Sequence, residues 1–229
     1  MIGSVAVCFA PAPDSQLWQV GCRWLGRDAA SGECWHAPPA DDIDLDEWRH
    51  LTTGPRDCGF QAPLKPDFAL RAQYGIQDLA ERLEAVARQQ KPFFAPQLTL
   101  GNLGGFLALV FSAPCPEMDD LAALCVQEFD GFRDPTATEP PEPSHKPLTP
   151  RQLQLLDCWG HPFVFDEFRF HLALTGPIDR AERPRLRGVL APVVAPLCRD
   201  PLRVDTLSLF AQPARGQAFY LHRRCPLGH

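Results

Sequence analysis

His171 is an imidazole set inside an apolar run, FRFHLALT at 168–175. Period-2 alternation puts it on one face with Arg169, Ala173 and Thr175, while Phe170, Leu172 and Leu174 project the other way. Imidazole titrates near neutral pH, so on a polar face it can take up or release a proton during a reaction. A plainer reading also fits: His171 is a hydrogen-bonded core residue, and Arg169 and Thr175 meet solvent. The pattern alone favours this plainer reading. His161, Asp166 and Glu167 precede the run, but any polar turn would show such residues. In the C-terminal HRRCPLGH, His222, Cys225 and His229 have a loose metal-like spacing that matches no standard zinc pattern, and the segment is expected to fray. The nine cysteines are odd in number and form no CxxC pair, which excludes a disulfide framework or zinc ribbon as the reading; most are expected to be small buried hydrophobes. No metal site and no cofactor are expected.

The elements that must position these residues can be read from periodicity. SVAVCFAPA predicts a strand, and Leu17, Val20, Trp24 and Leu25 predict a helix after Asp14. DIDLDEWRHL predicts a second helix, stopped by Gly54 and Pro55. From Gly59 a strand runs through Leu70, followed by a helix from about Ile76 to Gln90 and a hairpin of 93–100 with 106–111. The order recurs: a strand over 168–175, a mostly helical stretch from Asp179 to Leu197, and a hairpin of 204–210 with 218–221. Two units of matching order predict a duplicated α+β fold, with the two opening strands in equivalent positions beside a cleft. The whole chain, 1–229, then reads as a single two-lobed domain, with motif units at about 57–112 and 166–224. Between them lie a helix from Glu117 to about Phe129 and the stretch 132–150, whose six prolines in nineteen residues read as an extended surface connector. A last helix begins at Thr149 and Pro150.

Hydrophobic residues at 45% and charged residues at 22% are the ordinary balance of a globular protein. A net charge of -6 argues against general nucleic-acid binding, which requires a basic surface, but is compatible with a small phosphorylated ligand. No apolar run approaches the roughly 20 residues needed to span a bilayer, and the N-terminus lacks a basic leader segment. No membrane partner is therefore expected, and the chain is expected to be cytoplasmic.

The opening strand, WLGRDAASGE, GFQAPLK at 59–65, GGFLAL at 104–109 and LLDCWGHPFVFDEFRFHLALTG at 155–176 together resemble the 2H phosphoesterase superfamily, in particular its branch associated with phosphonate metabolism. The resemblance implies two α+β lobes, each offering a His-x-Thr or His-x-Ser strand to a central cleft. It further implies two histidines acting as base and acid on a phosphodiester, often a cyclic phosphate, with two hydroxyls on the phosphate oxygens and no metal. The motif positions here are changed. The first stands as Gln61, Ala62, Pro63, and in the second His171 remains while the hydroxyl position is Ala173. A Gln amide cannot exchange a proton at neutral pH, and Pro and Ala offer nothing to a phosphate oxygen. Loss of one acid or base costs roughly 10²- to 10⁴-fold in rate, so the two-histidine mechanism is expected to be impaired. By the resemblance, the site comprises His171 and Gln61 at the catalytic positions and Pro63 and Ala173 at the hydroxyl positions; Lys65, in the family's usual place, and Arg169 and Thr175, flanking His171, are compatible with holding a phosphate, while Lys65 reads equally well as a solvated edge lysine. A descendant that only binds its ligand is the alternative expectation.

Overall fold

The structure, a computed structural model, describes residues 2–137 and 147–228. Its architecture is α+β, with two antiparallel four-stranded sheets among the described residues. The first sheet has the order β2 (Ala62–Phe68), β1 (Val5–Phe9), β7 (Thr206–Ala211), β8 (Tyr220–Pro226). The second has the order β5 (Leu172–Ala173), β4 (Phe106–Phe111), β3 (Phe93–Leu103), β6 (Pro201–Val204). The helices are α1 (Gln16–Leu25), α2 (Leu45–Cys58), α3 (Ile76–Gln89), α4 (Pro116–Phe129), α5 (Pro150–Trp159) and α6 (Arg183–Val194). Each repeated unit places its opening strand in one sheet and its hairpin in the other. β2 lies in the first sheet while β3 and β4 build the second; β5 lies in the second while β7 and β8 build the first. β2 and β5 thus occupy equivalent edges.

Helix ends follow from local chemistry. The Ser15 side chain accepts from Trp18 N–H to start α1, and Thr149 and Gln152 form a reciprocal capping box at α5. The sequence expected α2 to stop at Gly54, but it continues through Pro55 to Cys58. Pro55 has no N–H to give the Leu51 carbonyl one turn back. That carbonyl instead accepts from Gly176 N–H at 2.6 Å, so the helix's missing bond becomes a tether for the chain leaving β5.

The run 168–175, expected to be one strand, contributes only Leu172 and Ala173 to the ladder, opposite Leu109 and Ala108. The ladder ends because the Leu107 N–H donates to the Thr175 hydroxyl at 3.0 Å rather than to a strand carbonyl, while the N–H groups of Leu174 and Thr175 share the Leu107 carbonyl. The expected strand over 204–210 is divided at Asp205: β6 pairs with β3 in one sheet and β7 with β1 in the other. The C-terminal segment does not fray. His222 and Cys225 lie in β8, Cys225 is buried, and Arg224 donates to the carbonyls of Ala10 and Pro11. Residues 138–146 of the proline-rich connector, and His229 of the tail, lie outside the described residues. No helix among the described residues is long and apolar enough to cross a membrane.

Candidate functional site

Gln61 immediately precedes β2 and His171 immediately precedes β5. The two sheets meet beside them, because Phe9 pairs with Ala62 in the first sheet and packs its ring 6.0 Å from that of Phe170. Phe170 also stacks on Phe111 at 4.0 Å. This aromatic junction fixes one neighbour of Gln61 and one neighbour of His171 against each other.

The approach to Gln61 is determined by two glycines. Gly59 has φ +83°, where a side chain would be strained, and an added Cβ would meet Ala29 at 2.9 Å. Gly21 of α1 leaves room for the fully buried ring of Phe60, which a Cβ there would meet at 2.4 Å. Held this way, Gln61 has a buried Oε1 with no hydrogen-bond partner among the described residues. An unpaired buried carbonyl costs roughly 1–3 kcal/mol, so it is a group poised to accept from something else.

The end of β5 is anchored from the helices. Trp24 Nε1 donates to the Leu174 carbonyl at 2.8 Å, and Trp48 Nε1 donates to the Trp24 carbonyl at 2.6 Å. His171 is partly exposed; its Nδ1 lies 2.8 Å from the Arg169 carbonyl, and its ring packs 5.5 Å from that of Phe106. Burial lowers its pKa, against the opposing effect of the Arg169 carbonyl. Because a carbonyl can only accept, the neutral ring carries its proton on Nδ1 and leaves Nε2 bare. Such a nitrogen can accept a proton or a hydrogen bond.

The other expected phosphate-holding side chains are engaged elsewhere. Lys65 is 2% exposed. The register between β1 and β2 shifts on both sides of the Val7–Lys65 pair, and the Lys65 side chain reaches α4. Its Nζ lies 3.1 Å from Asp130 Oδ1 and donates to the Val126 carbonyl. Thr175 is buried, and its hydroxyl accepts from Leu107 N–H and donates to the Gly176 carbonyl. Arg169 is exposed and donates to the carbonyls of Asp166 and Phe168. It borders a recess of about 310 Å³ shared with Asp119, Asp120 and Asp166, whose three carboxylates make a poor seat for an anion. Pro63 and Ala173 are partly exposed and present no polar side chain, as the altered motifs imply.

Three residues beyond the motifs enter the neighbourhood. Asp130 Oδ1 also accepts from Arg133 Nε at 2.7 Å, so one carboxylate joins two cations. Burial works against the Asp130 carboxylate, but the Arg133 hydrogen bond and the Lys65 charge outweigh it and hold its pKa below the ordinary value. Arg133 Nη2 donates to the Cys158 carbonyl, and the Arg133 side chain lies under Gly160, where a Cβ would meet it at 2.9 Å. Gly160 ends α5 in the left-handed conformation and delivers His161 beside this network. Burial first, then the charges of His171 and Lys65, push the His161 pKa down to about 4. No sequence period links position 161 to Lys65 or His171; the one signal was its place in the polar turn before the run. Among the described residues no cluster of three or more metal-ligating side chains occurs.

Two relatives, each named ribose 1,5-bisphosphate phosphokinase PhnN, are 30% identical to this chain. The one from Janthinobacterium sp. (strain Marseille) aligns over 226 residues, 96% of this chain and 50% of its own length. The one from Laribacter hongkongensis (strain HLHK9) aligns over 224 residues, 95% of this chain and 50% of its own. The chain spans about half the length of the curated relatives it matches. Among solved structures, E. coli LigT complexed with 3'-AMP superposes with a TM-score of 0.49 at 13% identity, and a phosphoesterase with 0.43 at 11%, each covering both chains fully. A family model matches residues 63–220, more than half of the sequence, and the chain belongs to that family, described as Protein of unknown function (DUF1045).

Proposed function

We propose that this protein binds a small phosphorylated ligand, of the sugar-phosphate or cyclic-phosphate class used in phosphonate metabolism, in a 2H phosphoesterase-like cleft between β2 and β5, with the two-histidine mechanism impaired. The observation that carries the reading is the pair of groups at the equivalent edges: the bare Nε2 of a neutral His171 and the unpartnered, buried Oε1 of Gln61. Both are acceptors, matched to hydroxyl protons of a sugar or to water. Lys65, in β2 four residues after Gln61, carries a buried charge joined to Asp130, which also joins Arg133. The names of the long relatives support a phosphorylated ribose as the ligand. Their kinase activity is not carried over, because this sequence has neither G-x-x-x-x-G-K-[ST] nor G-x-G-x-x-G, and none of Lys65, Lys91 and Lys146 follows a glycine.

In the impaired mechanism, His171 Nε2 takes a proton from an attacking water, and the leaving oxygen must take its proton from solvent, since Gln61 cannot supply one. A purely binding module is favoured by burial, which lowers the pKa of both His161 and His171 and so opposes an imidazolium serving as acid at either position. The test is to restore Gln61→His, Pro63→Thr and Ala173→Thr together and assay 2',3'-cyclic nucleotides and cyclic ribose phosphates. Turnover is expected to rise by at least the roughly 10²-fold that a recovered acid or base supplies, and His171→Ala is expected to abolish it. A folded triple variant with unchanged rates would refute the catalytic form of the proposal.

A further inference from the structure

The backbone holds the two imidazoles in opposite tautomers. At His161, Nδ1 accepts from the Phe163 N–H at 3.2 Å, so a neutral ring must carry its proton on Nε2. At His171, Nδ1 faces a carbonyl, which can only accept, so the proton sits on Nδ1 and Nε2 is bare. One ring presents a donor and the other an acceptor. Neither Nε2 has a protein partner among the described residues. A chain of contacts ties His161 to β2: Lys65 to Asp130, Asp130 to Arg133, and Arg133 under Gly160, which immediately precedes His161; His171 lies near enough for its charge to act on the His161 ring. The exposed ring of Phe163 packs edge-on at 5.8 Å and limits the swing of the His161 ring.

We propose that His161 is a ligand-binding residue of this cleft, its Nε2–H donating to a phosphate oxygen and so doing what the hydroxyls missing at Pro63 and Ala173 would have done. This rests on the reading of the cleft as a phosphate site. The tautomer decides the role. A neutral ring that gave up its Nε2 proton while Nδ1 accepts from Phe163 would be left as an imidazolate, so His161 holds a hydrogen bond and does not act as the missing acid. The Lys65 charge, which acts on the His161 ring, supports the same assignment, because the ammonium favours an anion there and opposes a second cation. The ligand is thereby specified further: phosphate oxygen toward His161 and hydroxyl protons toward His171 Nε2 and Gln61 Oε1. A phosphorylated polyol such as a pentose phosphate meets all three.

Two measurements test this. Long-range ¹H–¹⁵N correlation spectra of the ligand-free protein at pH 7.5 should show His161 protonated on Nε2 and His171 on Nδ1; a proton on His161 Nδ1 overturns the assignment without reference to any ligand. Calorimetric titration with ribose 5-phosphate should then show His161→Phe binding roughly ten- to a hundred-fold more weakly than the parent, the range for a hydrogen bond to a charged group. His161→Gln, which keeps an N–H donor, should recover most of that loss. If the parent binds ribose 5-phosphate and His161→Phe binds it equally well, the inference fails while the cleft reading stands. If the parent does not bind it, both fail.

Discussion

Lys65 and Asp130 are joined at 3.1 Å, yet removing one or the other is expected to have very different effects. Asp130→Asn leaves two cations, Lys65 at 2% exposure and Arg133 at 9%, around a neutral amide. Breaking a buried pair so that a charge is left uncompensated costs about 3–5 kcal/mol. Lys65→Met removes the more deeply buried charge, keeps most of the side-chain volume over Phe68, and leaves Asp130 with its 2.7 Å partner Arg133. Its cost is expected to stay within about 1.5 kcal/mol, the range of a volume-conserving exchange. For a chain of this length each kcal/mol moves Tm by about 2–4 °C, which puts the Asp130→Asn loss at roughly 6–20 °C. The two also differ in pH dependence. Burial already lowers the Lys65 pKa below the unfolded value, so the unfolded chain binds that proton more tightly, and stability rises as pH passes upward through the folded pKa. Without Asp130 that pKa falls further, so the deficit of Asp130→Asn should shrink between pH 7 and 9.5. Urea unfolding of both variants across that range is the assay. Equal losses, or an Asp130→Asn deficit that does not change with pH, would refute this account of the cluster.

His161 gives a second pH signature: its folded pKa of about 4 lies below the unfolded value near 6.5, so its contribution is complete above that value and is lost as pH falls toward 4. The full contribution is roughly 3 kcal/mol, and His161→Gln should flatten the urea midpoint between pH 7 and 5, with His171 supplying a further slope in the same direction. Thr175→Val should cost about 1–3 kcal/mol by unpairing Leu107 N–H, and should leave the affinity for ribose 5-phosphate within about threefold of the parent if the hydroxyl serves only the backbone.

Long periodic segments were legible in the sequence for physical reasons. α1, α3, α4 and α5 each present an apolar stripe with a start signal or a stop signal, such as the Thr149 and Gln152 box, and such features act locally. The failures are tertiary. Pro55 breaks a helix only when the carbonyl it abandons has no other partner, and its partner, Gly176, lies 125 positions away in the sequence. The run 168–175 alternates like a strand, but the Thr175 hydroxyl ends its ladder early, and Thr175 therefore does not share a free polar face with His171. Lys65 was visible as a motif neighbour, while the register shifts beside it were not, because a register shift leaves no mark on apolar alternation. Gln61, Pro63 and Ala173 stand out in the sequence as departures from the resembled motifs within longer matching segments. His161 does not stand out, since a histidine after a helix-ending glycine resembles any other turn until the fold brings it within reach of the Lys65 and His171 charges.

The way the two units exchange strands bears on what the altered motifs mean. β2 completes a sheet built by the second unit's hairpin and β5 completes one built by the first, so each unit holds the other's opening strand in place. The Phe9, Phe170 and Phe111 contacts and the Trp24 to Leu174 hydrogen bond act at the same junction. Positions 61 and 171 therefore stay beside that junction whatever residues occupy them, and a preserved framework by itself says little about retained chemistry. What does bear on chemistry is the cost the fold sustains there. An unpartnered buried carbonyl on Gln61 is unfavourable to folding, and it is not needed to pack the sheets. Local strain of this kind is expected where a ligand relieves it on binding. A ligand hydroxyl donating to Gln61 Oε1 would relieve it, which is why binding, more than turnover, is the property to measure first.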